Sequence, residues 1–111
     1  MPSSAPENRM LVDAAAIAEL QQHAQQAAEL LKQLGNQNRL MILCSLINQE
    51  LSVGELHKLT HLSQSALSQH LASLRKAELV QTRREAQTIY YSLLGDKSIK
   101  IISVLKSIYC P

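Results

Sequence analysis

Between Ser52 and Leu93 the apolar residues follow two short helical stripes and then switch to a period of two, which restricts the chain to few folds. Ser52-Val53-Gly54-Glu55 has the Ser-x-x-Glu form of a capping box, whose two side chains satisfy backbone donors at a helix start. It opens a short helix to about Thr60, with Val53, Leu56 and Leu59 inward. His61-Leu62-Ser63 reads as a tight turn, and Ser63 caps a second helix reaching about Ala77, with Leu67, Leu71 and Leu74 on its inner stripe. Residues 79–84 and 88–93, rich in Val, Thr, Ile and Tyr and linked by Glu85-Ala86-Gln87, read as a β-hairpin. A short helix, a three-residue turn and a second helix form a helix-turn-helix, and a hairpin directly behind it makes the unit winged.

The flanks are helical. Residues 1–12, rich in Pro, Ser and Asn, read as a flexible N-terminal tail, with the folded domain over 13–111. Asp13 caps a helix of about six turns carrying Ile17, Leu20, Ala24, Ala27, Ala28, Leu31 and Leu34, which Gly35 stops. Asn36 caps the next, whose buried stripe is Leu40, Leu43, Cys44 and Ile47. Asp96 caps the last, with Ile99, Ile102, Leu105, Ile108 and Tyr109 along one side. The fold class is mainly α with a β-hairpin. A chain of 111 residues buries only about two-thirds of its unfolded surface, so an apolar stripe left over favours a second copy.

Composition excludes several functions. No stretch approaches the roughly 18 apolar residues of a membrane span, and residues 1–8 lack the charged head and apolar block of a secretion signal, so a cytoplasmic protein with no membrane partner is expected. A net charge of +2 permits nucleic-acid binding without demanding it, and five of the 11 basic residues fall between Lys58 and Arg84. The sequence holds no Gly-rich phosphate loop, no Cys-x-x-Cys and no clustered carboxylates, which argues against an enzyme and against a bound cofactor. Cys44 and Cys110 are the one enzyme-like feature, leaving a thiol oxidoreductase as a rival, with a protein-binding winged-helix module as another.

The second helix of such a unit lies in the major groove and offers its first residues to base edges. With the leucines inward, Gln64, Ser65, Ser68, Gln69, Ser73 and Lys76 face outward, with Arg75 beside them. Gln pairs bidentately with adenine, Ser contacts bases or phosphates, and Arg75 and Lys76 neutralise phosphate charge. His70 stands either on DNA or against the turn. Arg83 and Arg84 near the hairpin tip, with Gln87 across from them, suit the adjacent minor groove or its phosphates. A Ser- and Gln-rich helix face alone is usually only solvated; the order of elements around it gives it a reading role.

The segments 49–56 and 62–71, with Leu79-Val80 and the run from Arg83 to Tyr91, resemble the ArsR/SmtB family of bacterial repressors over about residues 27–111. The resemblance implies a homodimer through the first and last helices, double-stranded DNA as partner, and an inverted-repeat operator. Ser52 and Gly54 stand where arsenic- and cadmium-type members carry Cys-x-Cys, and of the zinc- and nickel-type ligands on the last helix only Asp96 is present. His23, His57, His61 and His70 show no ligand spacing, so no metal site is expected, although a metal-responsive or non-sensing repressor stays as the alternative. Cys44 and Cys110 resemble the pair of the family's thiol- and persulfide-sensing branch, which implies a disulfide or polysulfide bridge formed by reactive sulfur or oxygen species, with release of DNA. Most of the family repress; members of this branch also raise transcription by displacing a silencing protein.

Overall fold

The computed structural model describes residues 13–111, so the expected tail over 1–12 lies outside the described residues. The chain divides between Lys32 and Gln33 into two compact units. In the first, Asp13 accepts a hydrogen bond from the Ala16 N–H at 2.8 Å and opens α1 (Ala14–Gln22), followed by α2 (Ala24–Leu34), which ends in the second unit. The expected six-turn helix is therefore two helices. His23 leaves helical geometry at φ −118° and ψ 14°, and its N–H turns back to Leu20. No side chain of α1 is buried, so packing does not hold that stretch straight.

The second unit contains α3 (Gln37–Ser45), β1 (Leu51–Ser52), α4 (Val53–Thr60), α5 (Gln64–Lys76), β2 (Val80–Glu85), β3 (Thr88–Leu93) and α6 (Lys97–Tyr109). Asn36 caps α3 by accepting from the Arg39 N–H, as expected. The α3 stripe is corrected: Ile42 and Leu43, with Leu46 just beyond, are fully buried, whereas Leu40, Cys44 and Ile47 are only half-buried. The capping box at Ser52 and Glu55 is complete in both directions, at 3.1 and 2.8 Å. Leu56 is fully buried, but Leu59 is 56% exposed, so the inward set of α4 is smaller than its periodicity suggests. Asp96 precedes α6 yet makes no side-chain cap; its carboxylate reaches Lys100 instead, at 3.3 Å.

The sheet holds one more strand than the expected hairpin. Its order is β1-β3-β2, all antiparallel, with Leu51 opposite Tyr91 and Ser52 opposite Tyr90. Ser52 thus belongs to the sheet and caps α4, which fastens the helix-turn-helix to the wing.

The exit from α5 is equally specific. The Leu79 N–H donates to the Leu74 carbonyl and the Glu78 N–H to that of Arg75, with Glu78 at φ 60°. This is a Schellman closure, and buried Leu74 and Leu79 supply its usual apolar contact. Glycine normally takes the left-handed position, because a side chain there costs about 1–2 kcal/mol. Glu78→Gly is expected to raise stability by about 1 kcal/mol, read as an increase of a few degrees in Tm; an unchanged or lower Tm contradicts this account of the turn.

Candidate nucleic-acid interface

Leu67, Leu71 and Leu74 are buried, which fixes the rotation of α5 about its axis. Ser63 caps the helix by accepting from the Ala66 N–H at 3.1 Å, and His61 takes the left-handed turn position at φ 57°. Gln64, Ser65, Ser68 and Gln69 are consequently exposed together at the start of the helix. His70 is half-buried. Ser73 differs from the rest of the outward set: it is half-buried, and its hydroxyl donates to Oε1 of buried Gln33 at 2.9 Å. The carbonyl of Gln33 accepts from Arg39 Nε at 2.9 Å, so Gln33 links α5 to the start of α3.

Arg75 and Lys76 are exposed in the last turn of α5 and carry no ion pair among the described residues. They line an open cleft of about 500 Å³ with Val53, Ser68, Ala72, Ile89 and Tyr91. The cleft brings α5 and the wing onto one face, with an apolar floor and a cationic rim.

The wing turns over Ala86 and Gln87, with Ala86 at φ 56°, the first-position positive φ that a type II′ turn requires. Gln87 is exposed at this tip and borders a hollow beside the first turn of α4, with Ser52, Val53 and Gly54. Arg84 is exposed and unpaired among the described residues. Arg83 is engaged: Nε and Nη2 donate to both Glu50 oxygens at 3.0 and 2.7 Å, and Nη1 donates to Glu85 at 2.6 Å. Its guanidinium carbon lies 4.6 Å from the centre of the Tyr90 ring. The hydrogen bond from Arg83 holds the Glu50 carboxyl below its usual range. Sequence reasoning missed Glu50, because its partner lies 33 residues away and no local pattern connects them.

Cys44 is half-buried on α3 and Cys110 is exposed at the end of α6; both thiols are free. Burial pushes the Cys44 thiol above its ordinary pKa. Among the described residues no three His, Cys, Asp or Glu side chains cluster as a metal site.

Residues 36–82, spanning α3 to the start of β2, match the family described as bacterial regulatory protein, arsR family. The chain is 49% identical over 94 residues to the transcriptional activator HlyU of Vibrio cholerae, covering 85% of this chain and 87% of that one. The structure of reduced HlyU from Vibrio cholerae superposes with a TM-score of 0.77 at 49% identity, over 84% of this chain and 98% of that one. The transcriptional repressor BigR of Xylella fastidiosa superposes with a TM-score of 0.79 at 37% identity, over 85% of this chain and 96% of that one. Identity at this level over most of both chains, on the helix-turn-helix and wing built above, establishes that the chain belongs to the ArsR family of bacterial regulatory proteins, winged helix-turn-helix regulators of transcription.

Proposed function

We propose that residues 13–111 act as a cytoplasmic homodimer that lays α5 of each protomer in the major groove of an inverted-repeat operator and lets go when Cys44 and Cys110 are oxidised. The observation that carries the DNA reading is the exposed Gln64, Ser65, Ser68 and Gln69 face of a helix whose opposite face is locked by buried leucines. Gln69 and Gln64 supply the donor–acceptor pairs that read adenine, and the two serines reach bases or phosphates. Arg75 and Lys76 neutralise the phosphates that pass the cleft, and Arg84 and Gln87 carry the contact onto the wing.

Uncovered apolar side chains support the dimer. Val104, Ile108 and Tyr109 are 55%, 60% and 78% exposed on α6, and Ile17, Leu20 and Leu31 are exposed on α1 and α2. A second copy that covers them sets two reading heads about one helical turn of DNA apart, or a multiple of it.

In the switch, Cys110 attacks a reactive sulfur or oxygen species first, since it is exposed to solvent whereas Cys44 is half-buried. The Cys44 sulfur then displaces the leaving group. Two thiols become a disulfide, or a polysulfide where sulfur is retained; two electrons pass to the oxidant and two protons are released. The bridge ties the end of α6 to α3, which packs against α4 and α5. A difference of about 1–3 kcal/mol in DNA affinity between the two states is enough for regulation. Activation in one relative and repression in another leave both signs of output compatible with this switch.

Fluorescence anisotropy with a duplex selected by the protein from a random pool tests the reading. Gln69→Ala is expected to weaken binding to that duplex by roughly 1–3 kcal/mol while leaving binding to unrelated duplexes unchanged. An equal loss on every sequence makes Gln69 a backbone contact and removes it from base reading. Cys44→Ser is expected to bind the duplex like the parent and to stay bound after polysulfide or peroxide treatment. Release of DNA by that oxidised variant excludes Cys44 from the switch.

A further inference from the structure

Arg83 and Arg84 are neighbours in sequence, but the strand sends them to opposite faces of the sheet. Residues directly opposite in an antiparallel pair share a face. Arg84 is opposite Ile89, and Ile89 with Tyr91 lines the cleft against α5. Arg83 is opposite Tyr90, and Tyr90 is also opposite Ser52 of β1. Glu50 lies two residues before Ser52, on the same side. Arg83 therefore reaches across the central strand, over the Tyr90 ring, to grip Glu50 on the face turned away from the recognition helix.

The charge around Arg83 agrees with this placement. Two carboxylates surround one guanidinium, so the cluster is net negative and repels a phosphate. Each of the three guanidinium nitrogens already donates to a carboxylate, and the planar face is covered by an aromatic ring. Arg84 has none of these partners among the described residues.

We propose that Arg83 is a positioning residue: with Glu50 it straps the wing to the strand that opens the helix-turn-helix, and Arg84 is the arginine that meets the DNA backbone. The inference rests on the DNA reading proposed above. The strap bridges β2 to the residue preceding β1, and β1 continues directly into α4. It thereby sets how the wing stands relative to α4 and α5, without touching nucleic acid.

The salt dependence of duplex binding separates the two roles, because each phosphate contact contributes about 0.9 to the slope of log affinity against log salt concentration. The 111-residue chain and its variants are titrated with the selected duplex across a potassium chloride series. Arg84→Gln is expected to flatten the slope by about 0.9 per protomer. Arg83→Gln and Glu50→Gln are each expected to leave the slope unchanged while weakening binding by about two- to fivefold, the scale of an exposed ion pair. The double variant is no weaker than either single one, and the charge-swapped pair Glu50→Arg with Arg83→Glu recovers affinity. Circular dichroism of each variant checks that the fold is kept. A flattened slope in Arg83→Gln, or tighter binding in Glu50→Gln as Arg83 is released toward phosphate, overturns the proposal. A parent protein that binds no duplex at low salt sinks the DNA reading itself, an outcome distinct from either of these.

Discussion

Burial of Leu67, Leu71 and Leu74 along one side of α5 is the constraint on which the rest of the molecule depends. Removing three leucines from water is worth several kcal/mol at about 25 cal/mol per Å² of apolar surface. It also leaves only one rotation of the helix about its own axis. The short polar residues at the helix start are then presented outward as a consequence of what the other side buries. A rigid element of this kind holds its side chains in a set geometry, as recognition of base edges requires.

The wing is placed by the same economy of parts. Ser52 pairs with the central strand, accepts the hydrogen bond that starts α4, and sits two residues from the carboxylate that holds Arg83. The Schellman turn at Glu78 reverses the chain from α5 into β2 while burying Leu79 against the same core as Leu74. Helix and wing are thus joined at two places, one before α4 and one after α5. The cleft lined by Ser68, Arg75, Lys76, Ile89 and Tyr91 is the space between those joints.

What the sequence made legible was local. The caps at Asp13, Asn36, Ser52 and Ser63 act within three residues, and each is present. The leucine stripe of α5 needs only the helical period. What stayed hidden depends on distant partners. β1 is two residues long and is a strand only because β3 lies beside it. Arg83 reads as a free cation until Glu50 is folded against it, and Ser73 reads as a groove residue until Gln33 is packed beneath it. Leu59 has the right spacing for burial but is left more than half exposed, while Ile42, Leu43 and Leu46 hold a helical spacing no better than that of Leu40, Leu43 and Ile47, so the period alone does not choose which side of α3 is enclosed. The candidate DNA-reading set was accordingly clearer at its helical start than at its wing.

In the proposed complex α5 is the surface that enters the groove. Backbone amide chemical shifts of the isotope-labelled protein, followed as the selected duplex is added, test this residue by residue. The largest changes are expected at Gln64–Gln69 and at Arg84, with small ones at Glu50. Shifts concentrated elsewhere, with the first two turns of α5 unmoved at saturation, contradict it.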